Sequence, residues 1–88
     1  MLSNVIIALP GDFPGLCLNR FGRDQNNGVI EHGRQSSQGT CWSLCKRIMR
    51  NGGIVTGCEW NKRSRQCSQH TLDVSTGNGD RNYVCGVK

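Results

Sequence analysis

Long apolar segments are missing from this 88-residue sequence. The longest apolar run, VIIAL at residues 5–9, is far shorter than the roughly 20 residues that a transmembrane helix needs. It is also too short for the apolar core of a secretory signal peptide, and no basic residue precedes it. We therefore expect no transmembrane segment, and we expect any secretion signal to have been removed from the chain.

Patterns typical of catalysis, phosphate binding and metal binding are absent as well. The sequence has no Gly-rich phosphate loop and no Asn-x-Ser/Thr site for N-glycosylation. His32 and His70 lie in predicted loop or strand-end contexts, where we interpret them as surface or strand-end residues that bond locally. Asp73 and Asp80 are too few for a calcium loop. We therefore predict that the protein is not an enzyme and has neither a cofactor nor a metal site.

Hydrophobic residues are also few, at 35% of the chain on a count that includes six cysteines. A chain this short buries a limited core, and an even number of cysteines favours three disulfide bonds in an oxidising compartment. We predict a single domain over residues 1–88, in which residues 1–14 form an N-terminal extension or an edge strand. The expected location is secreted, in the extracellular space.

The stretch GTCWSLCKRIMRNGG, at residues 39–53, predicts a helix. Cys41 and Cys45 are one helical turn apart and would share the apolar face. Asn and Gly accept the left-handed backbone that ends helices, so the NGG sequence predicts the C-terminus. The N-terminal cap would be one of three hydroxyl residues, Ser36, Ser37 or Thr40.

The segments IVTGCEW and RQCSQH, on either side of NKRS, predict a β-hairpin with a four-residue loop at residues 61–64. In this register Cys58 lies directly opposite Cys67, with about 5 Å between their Cβ atoms. The two helix cysteines have a similar separation, so two bridges side by side would hold the helix over the hairpin. Spacing leaves open which helix cysteine meets which strand cysteine, although nested pairing gives the shortest chain path. Cys17 and Cys85 remain, and would join the two ends of the domain.

Zinc binding and thiol redox catalysis fit the cysteine spacing less well than disulfides do. A structural zinc site typically uses close pairs such as C-x2-C, whereas the spacings here are C-x3-C and C-x8-C and the histidines are scattered. Redox catalysis usually needs C-x-x-C at a helix start, and that motif is absent. Disulfide cross-links are therefore the preferred interpretation.

The order of Cys17, CWSLC, GCEW, RQC and a terminal YVC resembles the PAN/apple domain family. In that family a helix carrying C-x3-C is bridged to a central β-hairpin, and a third bridge in apple-type members ties the chain ends. The resemblance covers about residues 15–88. It implies an α+β fold with a curved antiparallel sheet cradling one helix, and a module that binds proteins or carbohydrates without catalysis. The disulfide pairing it implies is the nested one: Cys41–Cys67, Cys45–Cys58 and Cys17–Cys85.

The predicted hairpin tip is the first candidate binding site. Clustered cations suit sulfate or carboxylate groups, because Arg forms bidentate hydrogen bonds with them. The candidate residues are Lys62, Arg63 and Arg65. Cations in the last turns of the helix would extend this site: Lys46, Arg47 and Arg50.

The polar segment TGNGDRNY, at residues 76–83, is the second candidate site. Asn78, Asp80 and Asn82 would supply planar donors and acceptors, and Tyr83 an aromatic face, for the hydroxyl groups of a neutral sugar. The competing interpretation is a simple turn, because Asn, Gly and Asp are ordinary turn residues.

The two tryptophans have different predicted roles. Trp60 would share a strand face with Cys58, so we expect it to pack in the core against the disulfides. Trp42 is next to Cys41 but off the predicted buried stripe, so we expect it to be partly exposed and available to a partner.

These features predict an extracellular, non-catalytic binding module that is carbohydrate-binding (lectin-like) or adhesive. Its partner would be a glycan or an extracellular protein and not nucleic acid. Because the net charge is +5, the alternative is a secreted cationic antimicrobial or defence protein that acts on anionic membranes. An exposed strand at residues 5–9 would also allow a homo-oligomer through edge pairing.

Overall fold

The structure is a computed structural model that describes residues 9–88. Five strands form an antiparallel sheet in the order β1-β7-β4-β5-β3, and β2 pairs with β6 in a separate two-stranded sheet. The prediction of a small disulfide-rich α+β domain with an antiparallel sheet and one helix is confirmed for these residues. The elements are β1 (Gly11–Pro14), β2 (Cys17–Leu18), β3 (Val29–Arg34), α1 (Gln38–Arg50), β4 (Gly57–Asn61), β5 (Gln66–His70), β6 (Thr76–Gly77) and β7 (Tyr83–Val87).

The helix has the ends that its sequence predicts. Ser37 is the N-cap, and its side chain accepts a hydrogen bond from the backbone N–H of Thr40 at 3.2 Å. Asn51 is the C-cap, and its N–H bonds the carbonyl of Arg47. Gly52 then adopts φ 87°, which only glycine reaches at low cost. The α1 boundaries are therefore set by local chemistry.

The three disulfides hold the helix and the chain ends to the sheet. Spacing leaves the pairing open, and the structure shows the nested arrangement that the resemblance implies. Cys41–Cys67 and Cys45–Cys58 have Cα separations of 5.5 Å and 6.4 Å, and Cys17–Cys85 has one of 5.2 Å. Two bridges therefore tie α1 to the β4–β5 hairpin, and the third ties β2 to β7.

The hairpin register differs by two residues from the predicted one. Cys67 lies opposite Trp60, and Cys58 lies opposite Gln69. Because side chains alternate with a period of two, a shift of two residues keeps both cysteines on the same face. They consequently still face α1, and their sulfur atoms are 4.0 Å apart. Trp60 shares that face and packs against the core cluster around these bridges.

Two local features of the hairpin loop explain the shift. Arg65 adopts φ 65°, so the returning strand starts at Gln66 instead of Arg65. The side-chain oxygen of Asn61 accepts hydrogen bonds from the N–H groups of Arg63 and Ser64, while Asn61 itself remains the last residue of β4. The loop therefore spans residues 62–65 rather than 61–64.

Trp42 is buried, which corrects the prediction that it is partly exposed. It is only 8% exposed and belongs to the core cluster on the helix side of the sheet. Its indole Nε1 donates a hydrogen bond to Asp12 Oδ1 at 3.0 Å, and its ring lies over Gly86. The buried arc of α1 is thus wider than the cysteine stripe, because the Trp42 side chain reaches β7 and β1 beside the hairpin.

The segment before Cys17 contains an edge strand, although its proline and glycine content is typical of a turn. Residues 10–15 contain two prolines and two glycines, yet Gly11–Pro14 pairs antiparallel with β7. An edge strand tolerates proline, because every second N–H group of such a strand points away from the sheet and forms no hydrogen bond to a neighbouring strand. Residues 5–8 of the predicted VIIAL strand, and the homo-oligomer proposed from it, lie outside the described residues.

Candidate functional site

The helix covers one face of the five-stranded sheet, and the opposite face carries a row of polar side chains. Cys58 points to α1, so its neighbour Glu59 points away from it. Glu59 pairs with Ser68 on β5, and Ser68 pairs with Glu31 on β3. Directly paired residues share a face, so these three side chains lie side by side across three adjacent strands.

Two adjoining cavities follow this polar face and together form what we call the polar groove. The inner pocket has a volume of about 210 Å³ and is lined by residues that include Asp24, Glu31, Glu59, Ser68 and His70. The outer pocket has a volume of about 360 Å³ and shares Glu31, Glu59 and Ser68 with the inner one. Toward the hairpin it is also lined by Asn61, Ser64, Gln66 and Tyr83.

His70 is buried at the base of the inner pocket, which corrects its interpretation as a surface or strand-end residue that bonds locally. It does end β5, but it is 1% exposed. Its Nε2 lies 3.4 Å from Glu59 Oε1 without hydrogen-bond geometry, and neither ring nitrogen has a hydrogen-bond partner among the described residues. Glu59 Oε1 instead accepts a hydrogen bond from the backbone N–H of Cys17 at 2.8 Å.

One wall of the inner pocket is a loop held in place by Asp73. The Asp73 carboxylate accepts hydrogen bonds from the backbone N–H of Arg20 at 2.9 Å and from its guanidinium Nε at 3.1 Å. Gln25, which lines the pocket, donates its side-chain amide to the Asp73 carbonyl at 2.7 Å. The hydrogen bond from the Arg20 backbone, followed by that from its side chain, lowers the pKa of Asp73 below its ordinary value. The Asp73 carboxylate that holds the loop is therefore ionised at neutral pH.

The structure brings the two predicted binding segments together at one end of the sheet. The exposed residues Lys62, Arg63 and Arg65 lie in the β4–β5 loop. The Lys62 N–H donates to the carbonyl of Asn82 at 2.7 Å, so the hairpin tip touches the loop before β7. Tyr83 begins β7 and lines the outer pocket. Of the residues predicted to bind a ligand, only Tyr83 lines the groove.

Asn78 and Asp80 use their side-chain oxygens within their own loop. Asn78 Oδ1 accepts hydrogen bonds from the N–H groups of Leu16 and Asp80, at 3.0 Å and 2.9 Å. Asp80 Oδ1 accepts one from the N–H of Asn82 at 2.9 Å. These side chains stabilise the turn next to the groove. The structure therefore favours the interpretation of this segment as a turn.

The cations of the helix do not join the hairpin tip. The helix leads through residues 51–56 into the start of β4, whereas the hairpin tip follows the end of β4. Arg47 and Arg50, in the last turn of the helix, therefore lie at the opposite end of the sheet from the tip. The N-terminal end of α1 is the one near the tip, since the N–H of Gln35 bonds the carbonyl of Arg65. We call the exposed cations that do gather there the basic end: Arg34, Lys62, Arg63, Arg65 and Arg81.

Metal ligation is limited by the disulfides. Among residues 9–88, two groups of three donor atoms lie within 4.8 Å of one another, Cys41 with Cys58 and Cys67, and Cys17 with Glu59 and His70. All four cysteines are disulfide-bonded and offer no thiolate, the form that binds metals. The second group is thereby reduced to one carboxylate and one imidazole.

Comparisons with known proteins give no relative from which to transfer a function. No family model, no curated protein and no solved structure matches the chain. Within residues 9–88, no helix has the length and apolar character needed to cross a membrane. The groove and the basic end are therefore the features from which a function can be inferred.

Proposed function

We propose that this chain is a non-catalytic carbohydrate-binding module that acts outside the cell. The observation that carries the proposal is the polar groove on the sheet face opposite the helix. Its outer pocket, at about 360 Å³, falls within the volume range of small-ligand sites. The resemblance of the cysteine order to PAN/apple domains, which are binding modules, supports the same conclusion.

The side chains of the outer pocket have the chemistry that sugars require. Carboxylates and amides present paired planar donors and acceptors, which match neighbouring hydroxyl groups on a sugar ring. Glu59 and Gln66 supply such groups, and Asn61, whose side-chain oxygen is used within the hairpin loop, adds the N–H donors of its amide. Tyr83 adds an aromatic ring and a hydroxyl at the same wall, an arrangement suited to a ligand with one apolar and one polar side.

Disulfide bonds support both the rigidity of the groove and its extracellular location. Cys17 lines the inner pocket and is bridged to Cys85 on β7, next to Tyr83 and opposite Glu59. A wall fixed covalently before binding loses little entropy when a ligand arrives. Disulfides persist in oxidising compartments, so three of them in a short chain favour a secreted protein.

The test is a glycan array that includes neutral, amino and sulfated sugars, followed by calorimetric titration of the best ligand. Tyr83→Ala should weaken binding about tenfold, because losing an aromatic contact of about 1.4 kcal/mol has that effect. Phe21→Ala is the matched control, since Phe21 is 78% exposed and lies outside the groove lining. We expect this control to bind within about twofold of wild type.

Two results would contradict the proposal. One is the absence of binding to any glycan by oxidised, folded protein. The other is glycan binding that Tyr83→Ala and Gln66→Ala leave unchanged. Leakage of anionic vesicles without glycan binding would instead favour the cationic antimicrobial alternative, for which the basic end provides the relevant charge.

A further inference from the structure

The inner pocket is negatively charged in a protein whose net charge is +5. Three of the six acidic residues, Asp24, Glu31 and Glu59, line it, whereas none of the eleven Lys and Arg residues does. The basic residues nearest in sequence to Glu59 lie past the end of β4, about 10 Å along the strand. That distance is comparable with the Debye length at physiological salt, so the basic end only weakly offsets the charge of the pocket.

A second, independent feature of this pocket is the imidazole of His70. It is fully buried, and both of its ring nitrogens lack a hydrogen-bond partner among residues 9–88. Buried polar groups are nearly always hydrogen-bonded, because an unsatisfied one loses its hydration without compensation. A ligand group that reaches His70 would restore that hydrogen bond. The imidazole therefore favours a ligand with a polar group at the base of the pocket.

The combination of carboxylates with an imidazole selects one kind of polar group. A protonated primary amine has three donors and no acceptor, which suits two carboxylates and an imidazole ring nitrogen that has no hydrogen-bond partner among residues 9–88. A sulfate or carboxylate would instead face three negative charges. The volume of about 210 Å³ equals the share of roughly seven water molecules in liquid water, so the pocket has room for more than the amine alone.

We propose that the inner pocket binds the protonated amine of an amino sugar, while the sugar ring extends into the outer pocket toward Tyr83. This inference rests on the proposed carbohydrate-binding function and specifies its ligand class. Glu31 and Glu59 accept hydrogen bonds from the ammonium group on either side of Ser68, and a ring nitrogen of His70 accepts the third. Acetylation of the amine removes both its charge and two of its three donors. The protein should therefore bind the amino sugar more tightly than its acetylated form.

The experiment compares two ligands that differ only at the amine: oligomers of β-1,4-linked glucosamine and oligomers of N-acetylglucosamine of the same length. Calorimetric titration of the oxidised wild-type protein should show at least about tenfold tighter binding of the amine form, since charge-assisted hydrogen bonds are the strong ones. Glu31→Gln should remove most of this preference, and Glu31→Lys should reverse it. Glu31 is exposed, so both variants should fold.

Asp12→Asn is the matched control, because it also removes one negative charge but lies on the helix side of the sheet, beside Trp42. It should leave the preference for the amine unchanged. Equal affinity for the two oligomers, with both weakened by Tyr83→Ala, would overturn the amine assignment and leave the carbohydrate proposal standing. No binding of either oligomer, together with a glycan array that shows no ligand, would overturn both. A preference that Asp12→Asn lowers as much as Glu31→Gln would show a general charge effect and overturn the pocket assignment.

Discussion

Replacing Gly86 with alanine tests how closely the helix packs on the sheet. Gly86 lies in β7 beneath Trp42, on the face that α1 covers. A Cβ atom at this position would lie 2.7 Å from Trp42 Cζ2 and 2.8 Å from Cε2. Real Cβ atoms essentially never approach so closely, so either the indole ring or β7 must move.

The expected loss of stability follows from the packing and the hydrogen bond that the Trp42 ring would lose. Inserting a methyl group into a packed core typically destabilises by about 1–3 kcal/mol. If Trp42 moves, it also loses the hydrogen bond from Nε1 to Asp12 at 3.0 Å, and bonds to charged groups contribute about 1.5–3 kcal/mol. We therefore expect Gly86→Ala to lower the free energy of unfolding by at least about 2 kcal/mol, and Tm by roughly 10 °C.

The assay is urea denaturation of oxidised protein, followed by tryptophan fluorescence and by far-UV circular dichroism. Gly39→Ala is the matched control, because a Cβ at this position in the first turn of α1 meets only the Ser37 Oγ atom, at 3.7 Å. In a helix this change should raise the free energy of unfolding by up to about 1 kcal/mol. A Gly86→Ala protein as stable as wild type would refute the packing of Trp42 against β7.

Two further predictions concern the loop anchor and the bridge between the chain ends. The pKa of Asp73 lies below its ordinary value of 3.8, so its carboxylate favours the folded state above about pH 4 and this contribution is lost as the pH falls through the lowered pKa. An NMR titration of the Asp73 carboxyl carbon should give a midpoint below 3.8, and a midpoint at or above 3.8 would contradict its bonds to Arg20. The double variant Cys17→Ser/Cys85→Ser opens a bridge with a sequence separation of 68, which should lower the free energy of unfolding in urea by about 4 kcal/mol. A loss below about 1 kcal/mol would show that other contacts hold these ends together.

Features that depend on neighbouring residues were predictable from the sequence. The helix, its cap at Ser37 and its end at Asn51 follow from local hydrogen bonding and backbone preference. The strand at Tyr83–Val87 follows from its β-branched and aromatic residues. The covalent frame follows from two cysteine pairs with matched separation, one on a helix and one on a hairpin.

Features that depend on long-range pairing were predicted less well. The hairpin register is set by the left-handed conformation of Arg65, which most non-glycine residues avoid. Neither Arg65 nor the preceding NKRS segment contains a glycine that would indicate this conformation. An edge strand was one of two expectations for residues 1–14, but the bounds Gly11–Pro14 depend on pairing with β7, which a turn-rich sequence does not show. Trp42 is buried because its ring packs over Gly86 of β7, a contact between residues far apart in the chain.

The polar groove was not predicted, for the same reason. Glu31, Glu59 and His70 come from three different strands and meet only through the order and register of the sheet. A partial signal was present in the alternation of β4, which places Glu59 on the face opposite Cys58. The positions of Glu31 and His70 beside Glu59 depend on how β3 and β5 pair in the sheet, and the spacing of the cysteines does not determine that pairing.

The disulfides explain how so small a chain can keep a polar face that is partly buried. Six of the eleven buried hydrophobic residues within residues 9–88 are cysteines, so cross-links replace much of the apolar core that a domain of this length cannot build. Stability supplied in this way does not require the second sheet face to be apolar. That face can therefore hold carboxylates and a buried histidine whose ring nitrogens have no hydrogen-bond partner among residues 9–88, groups that weaken folding. Because Cys17 itself lines the inner pocket, reduction would remove the support of the domain and part of the groove lining together. We therefore expect the proposed binding to require the oxidised protein.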